Sequence, residues 1–309
     1  MIKTVTMNPA VDKTVEIDDF RIDAVNRISA VRTDAGGKGI NVSKTIRALN
    51  GKSIATGILA GSNGEYIRSY LVRMGIENDF LFVNGETRTN LKVVDRLRGT
   101  NTDINEPGVE VTERDIEMLE DKIFFGINQG DILVLSGSIP AGVPKDIYRK
   151  WTERAQKQGA KVLLDADGEL LQEGIKAAPC LVKPNINELE RLMSRKLETI
   201  DEVVGAAGSL LELGIEIVAV SLGEAGAVFV KKDKVIQAEG VAVDVISTVG
   251  AGDSMVASLA YALEEGYPFE RAVTLSVAAG TASVATSGTQ PPELGSVLNY
   301  EKKVRYTIL

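Results

Sequence analysis

A loop in the C-terminal part of the chain, Ser247–Met255, combines two glycines with a carboxylate. Gly250 and Gly252 flank Ala251, so a ligand can approach the backbone there without obstruction by side chains. The run that follows is predicted to be helical, and the first N–H groups of a helix are unpaired and attract an anion. Asp253 lies in that first turn. An anion site with a base at its edge is what the transfer of a phosphoryl group to an alcohol requires.

Simpler explanations of this loop stay open. Asp253 would also stabilise the dipole of the helix, and the two glycines would also suit a tight turn. The fragment imitates a dinucleotide-binding fingerprint, but Met255 occupies the position that needs the third glycine. This mismatch disfavours a nicotinamide-dependent oxidoreductase.

The composition limits the chemistry that is available. The chain of 309 residues contains no histidine, so proton transfer must fall to carboxylates, lysines or tyrosines. A net charge of −8 argues against nucleic acid or an anionic membrane as a partner, and a phosphorylated ligand would need a local cluster of cations. The single cysteine, Cys180, suits a reducing compartment, and we find no signal-peptide pattern and no apolar run of transmembrane length. We therefore expect a cytoplasmic protein.

A second glycine-rich loop, Asp34–Asn41, places one cation among exposed backbone groups. Lys38 is the cation, and Asn41 adds an amide that can bond to sugar hydroxyls. The loop is not a Walker A motif, because Gly39 and not Ser or Thr follows the lysine. A plain glycine turn before a helix, predicted here at Val42–Leu49, is the alternative.

The segment Lys183–Glu188 follows a short apolar strand. Asn185 and Glu188 are three residues apart at a predicted helix start and therefore share a face. They have the spacing of a capping box, which is a purely structural explanation. The functional alternative is that Glu188 organises a hydrated Mg²⁺, directly or through water, near Lys183.

Strands and helices are predicted to alternate along the chain, as in a parallel sheet buried on both faces. The apolar strand Asp131–Leu135 ends in the polar loop Ser136–Pro140, and ligands of doubly wound sheets bind at such ends. Val241–Ile246 is predicted to be a further strand. We expect one α/β domain, residues 1–309, with extended insertions near residues 10–33 and 80–105 that form a small β lid.

In the second insertion, Asn84-Gly85 is a hairpin signal, and an alternating strand follows it. Arg88, Asn90 and Lys92 lie on one face of that strand. A charged strand face is usually only solvated, but Arg88 and Lys92 would supply the cations that a phosphorylated ligand needs.

Taken together, these motifs resemble the ribokinase-like (PfkB) family of sugar kinases. Thr248–Asp253 matches the C-terminal signature of the family, Ala35–Asn41 matches the N-terminal one, and Lys183–Glu188 resembles its N-x-x-E magnesium motif. The resemblance covers essentially the whole chain. It implies a central, mostly parallel β-sheet flanked by helices, with a small β-sheet lid. Three further segments resemble the branch that acts on phosphosugars: Thr6–Asp12, Thr87–Lys92 and Ser136–Pro140.

The resemblance also implies a role for each motif residue. Asp253 would be the base that accepts the proton of a sugar hydroxyl, and the helix dipole is expected to keep it ionised. The amides of Gly250, Ala251 and Gly252 would form the anion hole for the transferring group. The expected sugar-phosphate contacts are Asp12, Gly37, Lys38, Asn41, Arg88, Lys92 and Ser138. The expected ATP contacts are Lys183, Asn185, Ser221, Gly223, Gly226 and Gly252, with Glu188 for Mg²⁺.

The implied reaction is the ATP-dependent phosphorylation of a ketose phosphate. Fructose 1-phosphate, giving fructose 1,6-bisphosphate, is the leading substrate, and tagatose 6-phosphate and fructose 6-phosphate are the alternatives. The sequence does not distinguish among these substrates. The stereochemistry of one carbon is recognised through contacts to hydroxyl groups, and the sequence does not show which residues make those contacts. A sugar-phosphate sensor without turnover is the alternative of a different class. A lid of this kind would also allow a homodimer.

Overall fold

Strands and helices alternate along the chain, and the computed structural model describes all 309 residues. The strands are β1 (Ile2–Thr6), β2 (Ala10–Glu16), β3 (Ala30–Gly36), β4 (Ser53–Ala60), β5 (Glu77–Val83), β6 (Thr89–Asp95), β7 (Thr100–Asn105), β8 (Ile132–Ser136), β9 (Lys161–Asp165), β10 (Leu181–Val182), β11 (Ile217–Ser221), β12 (Ala227–Lys231), β13 (Lys234–Ala238) and β14 (Tyr306–Ile308). The helices are α1 (Lys38–Ala48), α2 (Gly61–Arg73), α3 (Glu113–Phe124), α4 (Ile147–Lys157), α5 (Gly168–Gly174), α6 (Ile186–Met193), α7 (Ile200–Leu211), α8 (Ala251–Glu264), α9 (Phe269–Val284) and α10 (Leu294–Glu301).

Ten strands form one large sheet in the order β14-β13-β12-β11-β10-β9-β8-β1-β4-β5. The seven strands from β11 to β5 in this order are parallel, and β12, β13 and β14 continue the sheet in antiparallel fashion. The chain leaves β1 towards β4 and β5, and later returns to the other side of β1 at β8. The order therefore reverses between β1 and β8, which is where ligands bind in open α/β sheets.

Helices cover both faces of this sheet, because its central strands are apolar on both sides. The core on one face includes Leu119 of α3, Trp151 of α4 and Leu210 of α7. The core on the other face includes Ile46 of α1 and Leu259 of α8. The predicted fold class, a mostly parallel sheet flanked by helices with a second small sheet, is confirmed. No helix in the structure has both the length and the apolar content needed to cross a membrane.

The small sheet has four strands in the order β3-β2-β6-β7. Its two faces differ, because side chains alternate along each strand. Asp12 of β2 lies beside Asn90 of β6, and Lys92 beside Asp103, on a polar face. The opposite face carries Leu91 beside Ile104 of β7, together with Val31 of β3.

Three local predictions from the sequence are wrong. Val241–Ile246 is not a strand, because β14 occupies the sheet edge next to β13, and the segment is instead held by N–H bonds from Ile246 and Ser247 to the carbonyl of Val284. Asn84-Gly85 does not form a hairpin, because β5 is the edge strand of the large sheet whereas β6 belongs to the small one. Helix α1 begins at Lys38 and not at Val42.

A buried lysine ties β1 to the end of α3. Lys3 is 4% exposed, and its Nζ donates to the carbonyls of Lys122, Ile123 and Phe125 at 2.9–3.0 Å. These carbonyls have no partner within the helix, so the ammonium satisfies them and complements the negative end of the helix dipole. Burial lowers the pKa of Lys3. Lys3 lies near the amino end of β1, away from the loops that follow the carboxyl ends of the strands, and its role is structural.

Candidate active site

A cavity of about 1620 Å³ opens at the carboxyl ends of the central strands. Loops after β1, β8, β9, β10 and β11 form its floor, and the polar face of the small sheet forms one wall. Every candidate site residue named from the sequence lines it: Asp12, Gly37, Lys38, Asn41, Arg88, Lys92, Ser138, Lys183, Asn185, Glu188, Ser221, Gly223, Gly226, Gly250, Ala251, Gly252 and Asp253. The fold thus brings segments from both ends of the chain to one place.

The amino end of α8 points into this cavity. Gly250 precedes the helix with φ +86°, a left-handed conformation that suits glycine, and no side chain caps the helix. The first intrahelical bond in this turn is from the N–H of Ser254 to the carbonyl of Gly250. The N–H groups of residues 251–253 are therefore free of intrahelical partners. They form a site for an anion, and the helix dipole strengthens it.

Asp253 lies in that turn and is 6% exposed. Its Oδ2 accepts a hydrogen bond of 2.8 Å from Nδ2 of Asn41, on α1. Burial raises the pKa of Asp253 to about 6, against the lowering effect of Lys38, while Asp165 raises it further. The carboxyl is thus ionised at neutral pH but more basic than an exposed aspartate, because burial outweighs the stabilisation of its charge by Lys38.

A second carboxylate, Asp165 at the end of β9, lies between two lysines. Its Oδ2 is 3.3 Å from Nζ of Lys38, and its Oδ1 is 3.7 Å from Nζ of Lys183. Burial alone would raise the pKa of Asp165, but Lys183 and Lys38 hold it below its ordinary value. Oδ1 is buried and accepts no hydrogen bond. The carboxylate therefore keeps two ammonium groups at the floor of the cavity, and both retain N–H donors that can bind a ligand.

Lys183 brings its charge to the anion site of α8. Its side chain is 5% exposed, and a Cβ atom added to Gly252 would lie 3.1 Å from its Nζ. The ammonium thus packs directly against the backbone at the start of α8. Burial would lower the pKa of Lys38, but Asp165, Asp253 and Glu188 raise it above its ordinary value. Both lysines are therefore placed to neutralise an anion near Asp253.

Asn185 and Glu188 form the capping box that their spacing predicts. Asn185 Oδ1 accepts from the N–H of Glu188 at 2.9 Å, and Glu188 Oε2 accepts from the N–H of Asn185 at 2.8 Å. Glu188 is 9% exposed, and burial raises its pKa. Glu188 lines the cavity, and its Oε1 has no hydrogen-bond partner in the protein.

These residues fit a magnesium ion that arrives with phosphates. The structure contains no group of three or more carboxylates, histidines or cysteines arranged as a metal cage. Mg²⁺ usually keeps several waters and is bound through one or two carboxylates plus the phosphates of a substrate. The free Oε1 of Glu188 and the unpartnered Oδ1 of Asp165 supply oxygens of that kind.

At the sugar end of the cavity, Asp12 is held by the small sheet. Its Oδ1 accepts from Nδ2 of Asn90 at 3.0 Å, and burial raises its pKa. A Cβ atom on Gly36 would lie 2.0 Å from Oδ2 of Asp12, so this glycine makes room for the carboxylate. Asp12 and Asn90 together present one acceptor and one amide group, which suits the hydroxyls of a sugar.

The cations of the small sheet are less free than the sequence indicates. The guanidinium of Arg88 donates to the carbonyls of Asn8, Pro9 and Glu106 at 3.1–3.4 Å. Lys92 Nζ is 3.6 Å from Asp103 Oδ1. Arg88 therefore joins three of the chain segments that cross between the two sheets, and it also lines the cavity. A phosphate bound there would contact the connection between the sheets.

At the opposite end, the cavity is bounded by the turn Gly223–Ala225 and by apolar residues. Ser221 ends β11, and Gly226 has φ +99° in the turn that leads to β12. Leu222, Val243 and Val249 add an apolar surface there. A flat ring would pack against this surface, with the phosphates of the same ligand directed towards α8.

Sequence reasoning missed Asp165, Asn90 and Lys44. Asp165 carried a weak signal, since it is a polar residue at the end of an apolar strand. For Asn90, the sequence indicates only that it shares a strand face with Arg88 and Lys92. Lys44 gave no signal, because a lysine in a helix is normally exposed, whereas this one is 0% exposed.

Comparison with known proteins agrees with this arrangement. Residues 5–294 match the pfkB family carbohydrate kinase domain. The chain is 36% identical over 304 residues to the 1-phosphofructokinase of Bacillus subtilis, covering 98% of this chain and 99% of that protein. It is also 36% identical over 300 residues to the 1-phosphofructokinase of Escherichia coli, covering 96% of each.

A solved structure shows the same fold. The phosphofructokinase-2 of Escherichia coli in complex with substrates and products superposes with a TM-score of 0.94 at 33% identity, covering 98% of each chain. The resemblance inferred from the motifs is thus confirmed over nearly the whole length. This chain belongs to the pfkB family of carbohydrate kinases.

Proposed function

We propose that this protein is a kinase that transfers the γ-phosphoryl group of ATP to fructose 1-phosphate and forms fructose 1,6-bisphosphate. The observation that carries the proposal is the buried Asp253 at the free amino end of α8, next to the ammonium of Lys183. A base, an anion site and cations within one cavity are what this reaction needs. Family membership and relatives named 1-phosphofructokinase support the choice of reaction and substrate.

In the proposed mechanism, the free primary hydroxyl of the sugar phosphate attacks the γ-phosphorus in line with the bond to ADP. The hydroxyl proton moves to Oδ1 of Asp253, because Asn41 already occupies Oδ2. The bond from phosphorus to the bridging oxygen breaks, and ADP leaves with that electron pair. The N–H groups at the start of α8 stabilise the charge on the equatorial oxygens, and Lys38 and Lys183 neutralise it further.

ATP is proposed to lie with its ring against the apolar end of the cavity, beside Ser221, Gly223 and Gly226. Its phosphates would then point towards Lys183, Asn185 and the start of α8. Glu188 would hold a hydrated Mg²⁺, which supplies charge neutralisation for the phosphates when it is bound.

The buried thiol of Cys180 supports a reducing, cytoplasmic setting.

We propose that the small sheet acts as a lid of a single domain, residues 1–309. Its polar face, with Asp12, Asn90 and Lys92, lines the cavity opposite α8, and Arg88 joins the chain segments that connect the two sheets. Its other face exposes apolar side chains, including Val31 at 58% and Ile104 at 52%. Exposed apolar patches of this kind mark interaction sites, so a second copy of the chain would pair through this face.

The substrate is tested with a coupled assay of ADP release, using Mg·ATP and three sugar phosphates separately. We expect the highest kcat/KM with fructose 1-phosphate. A clear preference for tagatose 6-phosphate or fructose 6-phosphate would keep the kinase and overturn the substrate. Binding without turnover of all three would instead support a sugar-phosphate sensor.

Asp253→Asn should lower kcat by about 10²–10⁴-fold, the usual contribution of a general base. The substitution keeps the size of the side chain, so the KM values for ATP and for the sugar phosphate should change little. Steady-state kinetics with both substrates provides the measurement. A decrease in kcat of less than about tenfold would remove Asp253 from the role of base.

The pH dependence follows from the raised pKa of Asp253. The ionised carboxylate is the active form, so kcat/KM should be flat near neutral pH and fall as the pH decreases through about 6. The phosphate groups of the substrates also ionise near pH 6. The residual activity of Asp253→Asn, measured over the same pH range, is therefore the control. Its acid limb, the decrease in kcat/KM at low pH, should lack the contribution from the titration of Asp253. An identical limb in both proteins would assign the limb to the substrates.

The lid interface is tested by substituting the apolar residues on its outer face. The double variant Val31→Asp/Ile104→Asp should be monomeric where the wild type is dimeric, because each buried carboxylate would be unpaired in the interface. Light scattering after size-exclusion chromatography measures the mass. A wild-type monomer, or a variant with unchanged mass, would contradict pairing through this face.

A further inference from the structure

A completely buried lysine lies directly behind the candidate base. Lys44 of α1 is 0% exposed and does not line the cavity. Its Nζ donates to the carbonyl of Ala35 at 2.8 Å and to Oδ1 of Asn41 at 3.1 Å. Asn41 is thus the one hydrogen-bond partner of Lys44 that lines the cavity.

These bonds determine which way the amide of Asn41 faces. Oδ1 can only accept hydrogen bonds, and it lies against the ammonium of Lys44. Nδ2 then faces Oδ2 of Asp253 and donates to it at 2.8 Å. The opposite orientation would direct the amide NH₂ at an ammonium and would bring the carbonyl oxygen against a carboxylate. Both contacts would be repulsive.

The charge of Lys44 is retained because acidic groups surround it. Burial lowers the pKa of Lys44 to about 8, while Asp34, Asp12 and Asp253 raise it and Arg32 lowers it. From α2, the ring of Tyr70 faces the ammonium, with its centroid 5.8 Å from Nζ. Lys44 is therefore mostly protonated at neutral pH. Burial of an uncharged side chain at this position would cost less free energy than burial of this ammonium.

We propose that Lys44 is a positioning residue for phosphoryl transfer, which orients the amide of Asn41 so that this amide holds Oδ2 of Asp253 and leaves Oδ1 for the proton of the sugar hydroxyl. The proposal rests on the proposed function, with Asp253 as the base. Lys44 contacts neither substrate. Its effect on kcat reaches the reaction through two hydrogen bonds, from Lys44 to Asn41 and from Asn41 to Asp253. The charge of Lys44 also acts directly on the pKa of Asp253.

The test is Lys44→Met, which keeps the length of the side chain and removes its charge and its donors. We expect kcat to fall about tenfold with the KM for ATP unchanged, which is within the range of couplings between residues in contact. The acid limb of kcat/KM should move to higher pH by about half a unit. The reason is that the carboxylate of Asp253 loses a nearby cation and an oriented hydrogen-bond donor, which raises its pKa.

Lys3→Met is the matched control. Lys3 is also a buried lysine whose Nζ bonds to carbonyls, but those carbonyls end α3. Its substitution should lower the melting temperature and leave kcat and the acid limb unchanged. A merely structural role of Lys44 would give the same pattern in Lys44→Met, and that result would overturn the proposal.

A double-mutant cycle with Asn41→Ala tests the route. If Lys44 acts through Asn41, Lys44→Met should lower kcat by less than about twofold in the Asn41→Ala background. Equal effects of Lys44→Met in both backgrounds would overturn the proposal. If Lys44→Met does not fold, Lys44→Gln replaces it and should still move the acid limb upward, with a smaller loss of about threefold in kcat. An unshifted limb in that variant would contradict the proposal.

The Asp253→Asn variant separates this inference from the proposed function. If it keeps both its rate and the protein part of the acid limb, Asp253 is not the base, and both proposals fail. If it loses them while Lys44→Met behaves like Lys3→Met, only the role of Lys44 is wrong.

Discussion

The structure depends on a group of charges that face one another before any ligand is present: Asp165, Asp253 and Lys183 are buried, and Lys38 is half-buried. Lys38 and Lys183 share Asp165, and Asp253 lies near them in the first turn of α8. Taking such groups out of water costs free energy that pairing only partly repays. Here the pairing is incomplete, since the contact between Lys183 and Asp165 is 3.7 Å and Oδ1 of Asp165 accepts no hydrogen bond. A phosphate would accept hydrogen bonds from the two lysines, which is the electrostatic preorganisation that phosphoryl transfer uses.

The topology of the large sheet makes this arrangement possible. Asp165 ends β9, Lys183 follows β10, and the order of the strands reverses between β1 and β8. Helices α1 and α8 lie on the same face of the sheet and bring Asn41 and Asp253 together from positions 212 residues apart. The small sheet then covers the polar opening with its hydrophilic face. At the connection between the two sheets, the guanidinium of Arg88 holds the chain through hydrogen bonds to three backbone carbonyls.

The sequence predicted those features that are local. The glycine loop before α8, the capping box at Asn185 and the apolar strands could be recognised, because short-range spacing determines them. Val241–Ile246 alternates like a strand, yet it is not one, since only the distant β14 decides which segment pairs with β13. The hairpin predicted at Asn84-Gly85 failed for a related reason, because the two flanking strands belong to different sheets.

The buried charges could not be predicted from the sequence, because their partners are distant in the chain. Nothing local distinguishes Lys44 from the exposed lysines of other helices, and Asp165 becomes informative only when β8, β9 and β10 lie side by side. The motif residues indicate where the chemistry occurs. The residues that orient them and tune their pKa values are visible only in three dimensions.

The central claim is that phosphoryl transfer takes place between the start of α8 and the carboxylate of Asp253. A crystal structure of the complex with ADP, aluminium fluoride and fructose 1-phosphate would test it most directly. The account predicts the fluoride at the N–H groups of residues 251–253, and Oδ1 of Asp253 within about 2.6–3.2 Å of the free primary hydroxyl of the sugar. A complex in which that hydroxyl is bound by another group, with Asp253 turned away from it, would contradict the account.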